Sequence, residues 1–369
     1  NFVANGVVVH NSEDRSAMHE ALEQQSYHPR SEILLADGRR INIGSFVDSR
    51  MEKDATEVID GVDCEILPIS DVDVYTTDID TGSLSTVSVD RVSRHQAPSE
   101  FVRVQFSNGR SVLVTPEHPM FVDDGLETKT VQADTLSGGE FVPAPHHLPS
   151  VNTNASSPLS DIHNSSKTRT QTDDTESELI EGAQALGIIT AVGETYVDDQ
   201  ERGIAVEMTN IIDSSQDVIS DILQSYISPH ADDTVTQTQS RDQDQAQDAG
   251  PTGKQWRWSP DTSAQWMTEI APAIMTDSSN RRVPDAVLGG SDAVVQQFLA
   301  GVITAAGRVS NETLRIRSPS DELACDYADA FLKLGITASV QDTSTEMAAQ
   351  TVINCDRDYN RLCSLFNIS

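Results

Sequence analysis

Hydrophobic and polar positions alternate in several short runs of the first third of the chain. The stretches "SEILLADGRRINIGSFV" (31–47) and "FVRVQFSNGRSVLVTPEH" (101–118) each carry such runs around Asp37-Gly38 and Asn108-Gly109. A Gly after Asp or Asn reaches positive φ without a steric penalty, so each pair predicts a hairpin turn between two half-buried strands. Many short strands, with no helix of useful length among them, predict a compact all-β domain over residues 26–147.

The pattern changes on both sides of that domain. "NFVANGVVVHNS" opens the chain as a strand-like run, and "SEDRSAMHEALEQQ" (12–25) follows with a helical period. There Ser12 suits the N-cap, Glu13 and Asp14 the first turn, and Ala17, Met18, Ala21 and Leu22 one apolar face. Residues 148–177 are rich in Ser, Thr and Asn without periodicity, and predict a flexible linker.

From 178 to 369 an internal repeat stands out: "ALGIITAVG" (185–193) returns as "LAGVITAAG" (299–307). Each copy follows an apolar helical run and precedes strand-like residues, "GIAVEMTN" and "ETLRIRS". The runs "DVISDILQSYI" and "ELACDYADAFLKLG" predict further helices, the latter with Leu323, Tyr327, Phe331 and Leu334 close to one stripe. Helix, strands and helix occurring twice imply a pseudo-two-fold α+β domain, so the chain is multidomain. An acidic insert at about 229–255 interrupts it, and Trp256, Trp258 and Trp266 predict that packing resumes afterwards.

Charge narrows the function. Among 369 residues, 58 are Asp or Glu and 25 are Lys or Arg, a net charge of -33. Holding nucleic acid as a main task needs clustered Lys and Arg, which this balance argues against. Lysine occurs only at Lys53, Lys129, Lys167, Lys254 and Lys333. An acidic, lysine-poor surface suits a salt-rich cytoplasm, where screening removes most self-repulsion, and predicts a halophilic source. Cys64, Cys325, Cys355 and Cys363 share no metal-ligand spacing, so neither zinc nor a disulfide framework is indicated. No apolar run approaches a membrane span and no signal peptide precedes the first strand, so a soluble, cytoplasmic protein is expected.

Three clusters carry candidate chemistry. In His10-Asn11-Ser12 a side-chain amide can attack its own carbonyl, with a neighbouring imidazole for proton transfer and a hydroxyl nucleophile next in line. Ser26 opens the β-rich domain directly after Gln25, and Thr115-Pro116-Glu117-His118 ends a hairpin strand. Singly, these are ordinary turn, strand-end and surface residues. In this order they resemble the splicing blocks of inteins. "NFVANGVVVHN" followed by Ser resembles the C-terminal block. "SYHPRSEILLADGRRINIG" resembles the N-terminal block with Ser26 where Cys is more usual, and "GRSVLVTPEHPMFV" the internal block. The intervening helix resembles the segment just after the Walker B region of archaeal MCM replicative helicases.

The resemblance implies that residues 1–11 end an upstream intein, 12–25 belong to the host (extein), 26–147 form a Hint splicing domain, and 178–369 an endonuclease-like domain. Ser26 would attack the carbonyl of Gln25, with Thr115 and His118 acting on the departing nitrogen. Ser12 would accept an acyl group, and Asn11 would cyclise with help from His10. A permuted arrangement, cyclising residues 12–25, is disfavoured because eleven residues are few to complete such a domain. The repeat resembles the paired LAGLIDADG motifs of homing endonucleases, with Gly187, Ala191, Gly193, Gly301, Ala305 and Gly307 matching. Where that family places its metal-binding acids stand Val192 and Ala306, which offer no oxygen side chain for Mg²⁺.

The expected activity is therefore autocatalytic protein splicing within an MCM DNA helicase precursor, without a cofactor. The rivals are an active homing endonuclease, which alone would need Mg²⁺, and the ATP-dependent helicase activity of the ligated host. No G-x-x-x-x-G-K-[ST] loop occurs in the sequence, so nucleotide binding falls to the host. Expected partners are the chain's own extein segments, DNA through the endonuclease-like domain, and the MCM hexamer after splicing, with no membrane.

Overall fold

A computed structural model of the chain describes residues 2–4, 7–9, 26–61, 63–79, 81–148, 171–197, 202–207, 213–227, 255–258, 273–274, 276–342, 349–353 and 357–368. The helix expected at 12–25, most of the linker, Trp266 and nearly all of the acidic insert lie outside the described residues. The chain divides into two compact units, 1–155 and 156–369. Among the described residues no helix is long and apolar enough to cross a membrane.

In the first unit, β1 (Phe2–Ala4) and β2 (Val7–Val9) form a hairpin, as do β3 (Glu32–Leu34) and β4 (Arg40–Asn42). There follow β5 (Ile59–Asp60), β6 (Cys64–Pro68), β7 (Asp73–Thr77), β8 (Leu84–Ser88) and β9 (Arg91–His95). The last four are β10 (Val102–Gln105), β11 (Ser111–Val114), β12 (Pro119–Asp123) and β13 (Thr128–Gln132). Sheets run β1-β2-β12-β13 and β5-β6-β9, with two-stranded pairs β3-β4, β7-β8 and β10-β11. The two expected turns are in place, with Gly38 at φ 89° and Gly109 at φ 84°.

One expectation fails here: "IGSFV" does not continue strand β4. Residues Ile43–Lys53 form an 11-residue helix, α1. The Asn42 side chain caps it by accepting from the Ser45 N–H at 3.3 Å. Ile43, Phe46, Val47 and Met51 follow the i, i+3, i+4 rule and pack with Leu67, so the helical period outweighs the strand propensity of an Ile-Phe-Val run.

The second unit begins with α2 (Gln171–Val192), β14 (Gly193–Val197), β15 (Arg202–Glu207), α3 (Asp213–Ile227) and β16 (Gln255–Trp258). Residues 171–177, read from sequence as linker, are thus helical and run on without a break into the first copy of the repeat. After α4 (Asp285–Leu288) the pattern recurs in α5 (Asp292–Ala306), β17 (Gly307–Ser310), β18 (Thr313–Ser318), α6 (Asp321–Lys333), β19 (Ser339–Asp342) and β20 (Ala349–Ile353), before α7 (Arg357–Phe366). The sheets are β14-β15-β16 and β17-β18-β20-β19, antiparallel throughout.

The stripe Leu323, Tyr327, Phe331 and Leu334 is buried as its spacing predicts. So is Lys333, whose ammonium has no hydrogen-bond partner among the described residues. Desolvation pushes its pKa down to about 8, against a weaker upward pull from Asp292. Below about 8 the folded and unfolded chains both carry this proton and the burial cost is fully present. Between about 8 and the ordinary 10.5 only the unfolded chain carries it, so stability rises with pH across that window. Lys333→Met should raise stability near neutral pH by about 1–3 kcal/mol and flatten that rise. Denaturant titrations on both sides of the window check both outcomes.

Candidate functional site

Ser26 begins a segment that lies along β11. Tyr27 bridges to Val114, and the His28 N–H donates to the Leu113 carbonyl at 3.0 Å. Between β11 and β12 the chain reverses at Thr115-Pro116-Glu117-His118, closed by the His118 N–H on the Thr115 carbonyl at 3.0 Å. Proline at the second turn position presets the φ that this reversal needs. The turn sets Thr115 against Ser26 from both sides. Thr115 Oγ1 accepts from the Ser26 N–H at 3.2 Å, and the Thr115 N–H donates to the Ser26 carbonyl at 3.0 Å. Thr115 and His118 are both buried.

The His118 imidazole packs edge-on against Tyr27, ring centroids 4.7 Å apart and planes at 70°. Tyr27 is half-buried as a residue, but its phenol oxygen is enclosed, and desolvation holds its pKa well above the ordinary value. Of the residues expected to act together, Ser26 and Thr115 therefore meet directly, and His118 packs against Tyr27, the residue after Ser26.

A fourth residue joins them. The Ser26 hydroxyl is hydrogen-bonded to His95 Nε2, and the other ring nitrogen, Nδ1, lies 2.9 Å from the Gln96 carbonyl oxygen. His95 ends β9, opposite Cys64 of β6. Its neighbour Arg94 is clamped by Glu65 and Asp48, at 2.7 Å each. Sequence reading missed His95, which is one of nine histidines and lies in no recognisable motif. Only the fold brings it across the 69 positions that separate it from Ser26.

His10, Asn11 and Ser12 lie outside the described residues. The hairpin just before them is described: Val9 of β2 pairs with Met120 of β12, two positions after His118. The end of the first strand pair is thereby tied to the strand that leaves the Thr115–His118 turn.

In the second unit both repeats end alike. Helix α2 stops at Val192 and β14 starts at Gly193; α5 stops at Ala306 and β17 starts at Gly307. Gly187 and Gly301 lock the two helices together reciprocally. A Cβ on Gly187 would overlap the Phe298 carbonyl and crowd Val302, and one on Gly301 would overlap the Gln184 carbonyl and crowd Ile188. The contacts are equivalent by position, which is what a two-fold axis between the helices requires.

A divalent cation does not fit the donor set at these helix ends. Val192 and Ala306 are half-buried hydrocarbons, and Glu194 points out to solvent from β14. A cation of the chain's own already serves the end of α2. Arg281, 1% exposed, donates from Nη1 to the carbonyls of Gly193 (2.5 Å), Thr190 (3.3 Å) and Ile189 (3.5 Å), and from Nε to that of Ile274 (3.3 Å). Burial lowers its pKa, while Tyr327 and Glu194 oppose that shift.

No protein-family model matches the chain. A DNA polymerase II large subunit of Haloquadratum walsbyi is 25% identical over 149 residues, 39% of this chain and 6% of that protein. The corresponding subunit of Halobacterium salinarum is 30% identical over 149 residues, 38% of this chain and 10% of that protein. The chain thus spans a tenth or less of these curated relatives. The crystal structure of the PabCDC21-1 intein is 25% identical, with TM-score 0.30, over 32% of this chain and 70% of that one. I-DmoI, solved in complex with DNA and Mn, is 13% identical, with TM-score 0.35, over 52% of this chain and 98% of that one.

The β-rich unit, with Ser26 set against the Thr-x-x-His turn, has the fold class that the resemblance to intein splicing blocks implies. The unit that follows, with its interlocked helices and repeated hairpins, has the α+β pseudo-two-fold architecture that the repeat predicts.

Proposed function

We propose that the first unit catalyses protein splicing, beginning with an N-to-O acyl shift at Ser26. The observation that carries this reading is the hydrogen bond from the Ser26 amide N–H to Thr115 Oγ1, on the nitrogen of the peptide bond that would break. The Ser26 hydroxyl adds to the Gln25 carbonyl carbon, the C–N bond breaks, and an ester remains; the proton lost from oxygen is balanced by one gained at nitrogen. Thr115 orients that nitrogen, and His118 is the proton donor to it. General acid–base assistance of this kind contributes roughly 10²–10⁴-fold. At the other junction Ser12 is the acyl acceptor, and Asn11 cyclises with His10 assisting. No cofactor enters these steps.

The segment 12–25 we assign to an MCM-type helicase host, on its sequence alone, and hence to a cytoplasmic precursor whose ligated product joins the MCM hexamer. A halophilic source agrees with the net charge of -33 and with the haloarchaeal origin of the two polymerase relatives. To test the splicing reading, the 369-residue chain is incubated in high salt with hydroxylamine, which cleaves esters. Hydroxylamine-dependent release of residues 1–25, detected by mass spectrometry, is expected from the unaltered chain and not from Ser26→Ala. Equal release from both would refute the role of Ser26.

For the second unit we propose a retained fold without nuclease activity. Phosphodiester cleavage of the metal-assisted kind needs carboxylates that Val192 and Ala306 do not supply. Purified protein with Mg²⁺ should leave the intein-less host gene intact. Site-specific double-strand cleavage would show that other residues provide the oxygen ligands. Binding of DNA by this unit is a separate matter, which a gel-shift titration on the same gene addresses.

A further inference from the structure

We infer that His95 is a catalytic residue of the first step, the general base that takes the proton from the Ser26 hydroxyl as it attacks. The inference rests on the splicing reading above and adds to it the question of how a serine, rather than a more acidic thiol, is made nucleophilic.

A backbone contact fixes the tautomer of His95. A carbonyl oxygen can only accept, so the 2.9 Å contact of His95 Nδ1 with the Gln96 carbonyl places the ring proton on Nδ1. In the neutral ring Nε2 then bears a lone pair and can only accept. The group it meets is the Ser26 hydroxyl, which therefore donates to it. This pairing of hydroxyl, imidazole and orienting carbonyl is the arrangement that activates a serine in acyl transfer.

The ring is also held in place. β9 pairs with β6 along its whole length, Cys64 standing opposite His95, and Arg94 is fixed on two carboxylates. Ser26 is fixed independently, by Thr115 on its N–H and its carbonyl. Nucleophile and base thus come from separate elements that the fold brings together, so the contact does not follow from chain proximity. The roles divide cleanly. His95 removes the proton from Oγ, while Thr115 and His118 attend to the nitrogen. In atoms, the O–H and C–N bonds break, a C–O bond forms, and the nitrogen gains one proton.

A thiol ionises near neutral pH far more readily than an alcohol, so a cysteine at position 26 needs the base much less. That difference supplies the test. The rate of hydroxylamine-dependent release of residues 1–25 is measured for the full chain, for His95→Gln and for His95→Ala, each with Ser26 and again with Ser26→Cys. With serine, both His95 variants should be slower by about 10²–10⁴-fold. With cysteine the same changes should cost less than about tenfold, and added imidazole should restore part of the rate of the Ser26, His95→Ala chain. Wild-type rates in His95→Gln would overturn the inference. Equal losses in the serine and cysteine chains, without imidazole rescue, would overturn it too, by showing a merely structural role. Release that persists in Ser26→Ala would instead refute the underlying splicing reading.

Discussion

Replacing Gly301 with alanine should destabilise the second unit by about 2–4 kcal/mol, although alanine is the better helix former by about 1 kcal/mol. The two effects have opposite signs, and their sizes decide the outcome. The new methyl would overlap the Gln184 carbonyl, a backbone atom in the middle of α2 that moves only if the helix moves. Gly187→Ala should behave the same way against the Phe298 carbonyl. Either change pushes apart helices that bury Leu186, Ile188, Ile189, Phe298 and Val302, exposing apolar surface on both. Gly301→Val, with two further methyls, should leave no cooperative unfolding transition for this unit. The double alanine variant should lose less than twice the single loss, because the first substitution already separates the helices at the shared seam. Thermal and denaturant unfolding measure all of this. An alanine variant as stable as the parent would mean that the helices do not meet at these glycines.

The same glycines show what was legible in the sequence. Small residues four apart in two copies of one nonapeptide, Gly187 and Ala191 in one and Gly301 and Ala305 in the other, announced a close helix pair, and the copies end where the helices end. The turns at Gly38 and Gly109 were equally legible, since Asp-Gly and Asn-Gly admit few alternatives between alternating runs. Thr115 and His118 could be read because one short proline turn holds both. Helix α1 was hidden by a competing period: Ile43, Phe46 and Val47 suit a strand by composition and a helix by spacing, and the Asn42 cap settled it. His95 and Arg281 could not be read at all. Each acts through a contact made across the fold, with Ser26 in one case and with the end of α2 in the other, and neither leaves a spacing pattern near its own position.

Arg281→Met should cost about 3 kcal/mol, with the damage concentrated at the C-terminal end of α2. Two opposing terms set that figure. Burying a guanidinium is expensive, and the downward shift of its pKa records that expense, so removing the charge recovers part of it. Against this stand four carbonyls, those of Ile189, Thr190, Gly193 and Ile274, that lose their donor in a site water does not reach. Each unsatisfied acceptor costs about 1–3 kcal/mol, so the carbonyls outweigh the recovered desolvation. The positive charge at the negative end of the α2 dipole adds to the same side. Arg281→Lys should restore less than half of the loss, since an ammonium on a flexible stem cannot span the same set of oxygens as a planar guanidinium. The loss should depend little on salt, because the pair is enclosed and poorly screened. Hydrogen exchange gives the local reading. Amides of β14, which starts at Gly193, should exchange faster in Arg281→Met, while those of β17, at the equivalent end of α5, should change little. If Arg281→Met were neutral or stabilising, the desolvation term would be the larger one, and the arginine would not be what holds the end of α2 in place.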